Sequence, residues 1–169
     1  MSTDNILQNK EAIDKFRQLV SEVNICMFTT LDENQHILSR PMSTIEVDDE
    51  GNAWFFTNEF SEKIQEVSKD NVVNLIYSHP GKNTYVNVTG TCTLIIDPKR
   101  MQELWNPAMK EWFPLGIEDP KMCLLKVNTD QAFYWNSPFS KVGLLFKTIA
   151  SIAKGDKFKE GETGKLELS

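Results

Sequence analysis

Residues Thr84 to Ile96 read TYVNVTGTCTLII. Threonine, valine, tyrosine and isoleucine fill the run, and such residues suit a pleated, half-buried strand. The stretch exceeds the ~5–6 residues of a usual strand, and one glycine, Gly90, sits inside it. An interior glycine marks a bulge or a sharp bend, as the corner of a barrel requires.

The flanks extend the same reading. Before the run, His79-Pro80-Gly81-Lys82-Asn83 is a turn and Val72 to Ser78 a strand. After it, Asp97-Pro98 opens a helix to about Trp105, with proline at a favoured first-turn position. Residues 106–120 are irregular, and Lys121 to Asn128 with Gln131 to Asn136 read as a last hairpin across Thr129-Asp130. Upstream, Ile25 to Leu31, His36 to Thr44 and Ala53 to Thr57 form an antiparallel meander across turns at Asp32–Gln35 and Asp48–Asn52. Ser61 to Lys69 is a short helix. Asn9 to Val23 is another, with Ala12, Ile13, Phe16, Leu19, Val20 and Val23 at helical spacing. The expected fold is therefore mainly β with added helices, six or seven strands in an antiparallel barrel. Lys141 to Lys154 is helix-like, to dock on the barrel or a second subunit or to lie on a membrane surface, and Gly155 to Ser169 reads as an exposed, charged tail. Residues 1–137 make the helix-plus-barrel unit, and 138–169 pack on the same domain.

Composition narrows the function. With 18 Lys and Arg against 24 Asp and Glu, the 169-residue chain carries a net charge of −6, which speaks against nucleic-acid binding, where phosphate contacts need clustered cations. The N-terminus has no apolar signal-peptide core, and no run approaches a membrane span of ~20 residues. Three scattered cysteines, Cys26, Cys92 and Cys123, suit free thiols in a cytoplasmic protein. His36 and His79 each lie beside a turn, without a second His or a Cys at metal-ligand spacing, so no metal site is expected. Cys26 reads as a buried small hydrophobe. Asp48-Asp49-Glu50 reads as a solvated loop. There is no nucleophile elbow and no P-loop.

Two features stand apart. Arg40-Pro41-Met42 puts one of three arginines in an otherwise apolar strand, beside a proline that needs an edge or a disrupted ladder. Thr57 to Lys63 runs from a strand end into a helix start, where free N–H groups, hydroxyls and a lysine favour an anion. Arg40 and Lys63 either neutralise a phosphate together or are an ordinary surface arginine and helix lysine.

These stretches resemble the general stress protein 26 group of the pyridoxamine 5′-phosphate oxidase-like split-barrel flavoproteins. The resemblance runs from about Asn9 onward. It is carried by Ser39-Arg40-Pro41-Met42, Trp54-Phe55-Phe56-Thr57 with Ser61-Glu62-Lys63, Gly90, Asp97, Leu104-Trp105-Asn106-Pro107, Trp112-Phe113-Pro114, Asp119-Pro120 and Tyr134-Trp135. It implies a split β-barrel of FMN-binding type and a homodimer with FMN in clefts between subunits. Arg40 and Lys63, helped by Ser61, would hold the FMN phosphate. The backbone around Pro41 and Met42 and around Phe56 and Thr57 would line the ring, and Trp112 of the other subunit would cover it. Trp112-Phe113-Pro114 reads equally well as a hydrophobic anchor for a long loop. True pyridoxamine phosphate oxidases grip their substrate with further basic residues, including an arginine near the C-terminus. No arginine follows Arg100 here, so vitamin B6 oxidation is not expected. The expected activity is FMN-dependent redox chemistry on a small molecule that the sequence does not name, with no identifiable catalytic side chain. The alternatives are a non-catalytic flavin binder or sensor, an interaction module with an empty cleft, or the same barrel holding haem or a deazaflavin.

Overall fold

The computed structural model describes residues 6–32, 34–57, 71–136 and 162–169. In chain order these form β1 (Ile6–Gln8), α1 (Asn9–Glu22), β2 (Ile25–Leu31), β3 (Ile37–Ser43), β4 (Glu46–Val47), β5 (Ala53–Thr57), β6 (Val72–His79), β7 (Thr84–Ile95), α2 (Pro98–Leu104), β8 (Cys123–Asn136) and β9 (Glu162–Glu167). Single 3-10 turns occupy Pro80–Lys82, Pro107–Glu111 and Gly116–Glu118. The strands pair in the order β1-β9-β8-β7-β6-β2-β3, with β5 on the first half of β8 and β4 on β5. All ladders are antiparallel except β1 with β9. The sheet curls without closing. Among the described residues no ladder joins β3 to β5, and this gap is the split of a split barrel.

Gly90 acts as its position suggests. The β7–β8 register shifts there: Thr89 faces Gln131 and Gly90 faces Thr129, leaving Asp130 as the extra residue of a bulge. A Cβ on Gly90 would lie 2.4 Å from the Asn128 carbonyl oxygen. The bulge also corrects the expected hairpin at Thr129-Asp130, because β8 runs straight through it. Thr129 is buried, and its hydroxyl donates to the Gly51 carbonyl at 2.6 Å. The exposed tail is corrected too. Glu162–Glu167 is a core strand, with Leu166 and Leu168 buried and the Leu168 N–H bonded to the Asp130 carbonyl. Three further strands, β1, β4 and β9, bring the count among the described residues to nine. The expected helices at Ser61–Lys69 and Lys141–Lys154 lie outside the described residues. Among those described, no helix is long and apolar enough to cross a membrane.

Two apolar clusters hold the described residues together. Inside the barrel, Phe16 and Leu19 of α1 meet Phe28, Phe55, Leu75, Leu125 and Tyr134, with Phe28 edge-on to Phe55 at 5.4 Å. Burying each such side chain contributes about 1.5–3 kcal/mol. Outside it, α2 and the turns after it cover Trp54, Phe56 and Leu124. Arg17 ties α1 to the 48–52 turn through the carbonyls of Val47 and Asp48 and the carboxylate of Asp49. Asp49 and Glu50 are exposed, as expected. Asp48 is the turn's organiser, accepting from the N–H groups of Glu50 and Asn52 and from the Trp54 indole at 2.8 Å. Partial burial pushes its carboxyl up, and these bonds outweigh that and hold it below the usual carboxylate range.

Candidate functional site

Among the described residues β3 is an edge strand, which is where Pro41 is tolerated. Pro41 faces Met27 on the outer surface, while Arg40 faces buried Phe28 and Met42 faces buried Cys26. Strand alternation therefore turns Arg40 and Met42 to the inner side, and Met42 packs against the barrel core. At the opposite lip of the split, Thr57 ends β5 and is buried. Its ladder partner is Cys123, whose thiol donates to the Thr57 carbonyl at 3.6 Å. Burial pushes the Cys92 thiol up to about 12, while the charge of Arg40 draws it down and Cys123 adds to the rise. Cys123 is itself pushed up by burial to about 11. Arg40 of β3 and Cys123 of β8 thus both act electrostatically on Cys92 of β7, and Cys123 is paired with Thr57 of β5.

Phe56 takes a different direction. Its ring packs in the outer layer, edge-on to Trp105 at 5.8 Å and tilted against Phe113 at 6.3 Å. Its main chain stays in the ladder with Leu124, next to Thr57. Phe113 packs as a hydrophobic anchor, whereas Trp112 is 72% exposed, close in sequence to equally exposed Leu115. Ser61 and Lys63 lie outside the described residues.

Sequence reasoning passed over Cys92 and Cys123, because isolated thiols in β-rich runs look like filler. It also passed over an apolar surface on the outer face. Met27 pairs with Ile76 across β2 and β6, and Tyr85 pairs with Trp135 across β7 and β8. Ile25 lies one outward position along from Met27, and all five are more than a third exposed. Period-two alternation in ICMFTTL was its signal.

The two histidines serve turns. His36 bonds Asp32 at 3.0 Å, and His79 accepts from the Lys82 N–H. Among the described residues no group of three or more His, Cys, Asp or Glu side chains is placed to hold a metal ion.

A family model described as "Pyridoxamine 5′-phosphate oxidase like" matches residues 11–159. The chain belongs to this family. The chain is 25% identical over 155 residues to Protein bli-3 of Neurospora crassa, covering 86% of this chain and 72% of that one. Among solved structures, the general stress FMN/FAD binding protein of Xanthomonas citri shares 30% identity at a TM-score of 0.62, over 78% of this chain and 92% of that one. A protein from Clostridium acetobutylicum related to general stress protein 26 shares 23% identity at a TM-score of 0.65, over 75% and 89%. The fold also recurs in a heme binding protein of Mycobacterium smegmatis, at 10% identity and a TM-score of 0.55, over 73% and 53%.

Proposed function

We propose that this protein is a cytoplasmic, homodimeric flavoprotein that holds FMN at the split between β3 and β5 and performs redox chemistry on a small molecule. The observation that carries this reading is Arg40, a guanidinium on the inner side of β3 whose charge acts on the buried Cys92 thiol. The donor set fits the cofactor. A flavin phosphate calls for a guanidinium, which binds phosphate oxygens bidentately. The ring calls for an apolar slot with a few polar groups at its edge. Arg40, with Lys63 and Ser61, would hold the phosphate. The main chain of Pro41, Met42, Phe56 and Thr57 would line the ring, and Trp112 of a second copy would cover it.

Bound FMN supplies the electron-transfer chemistry. The chain's own residues bind, orient and exclude water. Thiols at about 12 and about 11 stay protonated near neutral pH and add no charge beside the ring. The exposed row of Ile25, Met27, Ile76, Tyr85 and Trp135 supports the second copy, since apolar surface of this kind marks an interaction site.

The test is the visible absorption spectrum of the purified chain after incubation with FMN and removal of free flavin. A flavin spectrum near one FMN per chain is expected, together with loss of about 1.5–3 kcal/mol of binding in Arg40→Ala, the worth of a hydrogen bond to a charged group. A colourless wild type overturns the reading, and the same preparation titrated with haem and a deazaflavin then identifies which other ligand the barrel takes. FMN retained without turnover of NADH or NADPH and an acceptor panel marks a non-catalytic flavin binder.

A further inference from the structure

The two sides of the proposed site are mechanically linked. We propose that Phe113 is a positioning residue: by packing on Phe56 it couples the loop that presents Trp112 to the end of β5. The inference rests on the flavin reading above. Among the described residues Phe56 has two aromatic neighbours, with different supports. Trp105 caps the C-terminus of α2. That helix is already fixed by Arg100, which pairs with Glu46 and Glu103 and lies 4.9 Å over the Trp54 ring. Phe113 belongs to the loop. Its N–H bonds the Met109 carbonyl at 2.9 Å, and its own carbonyl accepts from the Gly116 N–H at 2.8 Å. Gly116 has φ +70, a conformation that favours glycine. The Trp112 N–H bonds the same Met109 carbonyl at 3.0 Å.

Trp112 and Phe113 therefore sit in one hydrogen-bonded turn, the first turned outward and the second against Phe56. A shift of Phe113 carries Trp112 with it and loosens Phe56 at the same time. Phe56 cannot give way alone. β5 is buried along its whole length, and the next residue, Thr57, is held at its carbonyl by the Cys123 thiol. The strand end that would line the flavin and the loop that would cover the partner's flavin thus answer to one contact.

The experiment is FMN titration of the full-length wild type, Phe113→Leu and Phe113→Tyr at low temperature, where far-ultraviolet circular dichroism checks that each is folded. Leucine keeps the bulk and removes the ring, whereas tyrosine restores it. Phe113→Leu is expected to bind FMN about threefold to tenfold more weakly, the range an aromatic pair contributes, and to change the visible circular dichroism of bound flavin. Phe113→Tyr is expected to return both to wild-type values. A purely structural role would lower Tm in Phe113→Leu while affinity and flavin dichroism stay unchanged, and that result overturns the proposal. Equal weakening in both variants overturns it as well. A wild type that retains no FMN is a separate result, which removes the flavin reading and this inference together.

Discussion

The two faces of β5 lie in different worlds. Ala53, Phe55 and Thr57 turn to the barrel, where strands β8, β7, β6 and β2 and the apolar face of α1 surround the core. Trp54 and Phe56 turn to a layer built from one short helix and two 3-10 turns. The barrel face is collective, since its packing follows from strand alternation repeated along the sheet. The outer face is local and depends on individual caps. Asp97 accepts from the N–H groups of Lys99 and Arg100, and Asn106 accepts from that of Ala108. One strand thus has a collective face and a locally built one.

Substitutions can break that comparison. The largest effect is expected from Phe55→Ala on the barrel face, where an aromatic-to-alanine change costs about 3–5 kcal/mol. Chemical denaturation should show one cooperative transition displaced to lower denaturant. Asp97→Ala should cost about 1 kcal/mol, the usual worth of an N-cap. Its effect should be confined to the outer layer, so hydrogen exchange should quicken in residues 98–113 and leave β6 and β7 at wild-type rates. Equal quickening in both regions would erase the distinction between the faces.

The smallest effect concerns β9 and sharpens the barrel side. Burial pushes the Glu162 carboxyl up, but the Tyr134 hydroxyl at 2.8 Å and the Lys15 ammonium at 3.2 Å outweigh it and hold it below its ordinary value of 4.5. A carboxyl lowered by folding stabilises the fold fully above its unfolded value and loses that contribution as pH falls through the folded one. Tm should therefore fall more steeply below about pH 4.5 in the wild type than in Glu162→Gln. Parallel curves would show that Glu162 is not coupled to folding.

Much of the barrel was legible because strands announce themselves by alternation and turns by composition. Gly90 announces a bulge or a sharp bend, and the structure makes it a bulge. Thr129-Asp130 was misread for a related reason: a bulge and a turn use the same residue types, and only the facing strand distinguishes them. Lys165-Leu166-Glu167-Leu168, at the end of β9 and one residue past it, is masked by a charged background, although its two leucines alternate as a strand requires. Arg40 stood out by rarity and by its proline neighbour. Cys92 and Cys123 did not, since their closeness to Arg40 and Thr57 depends on how four strands curl. Nor does spacing reveal that Phe56 and Phe113 touch across 57 intervening sequence steps. The Trp112-Phe113 dipeptide looked like one motif and proved to face two ways.

The parallel pair of β1 and β9 has a consequence under load. Ile6, Leu7 and Gln8 lie beside Lys165, Leu166 and Glu167, running in the same direction. Tension applied at the leading end of β1 and the trailing end of β9 pulls the two strands along each other. The hydrogen bonds between them are then strained together rather than opened one after another. With β9 also zipped to β8 over Gln131–Asn136, this corner should resist stretching far better than three short residue pairs suggest.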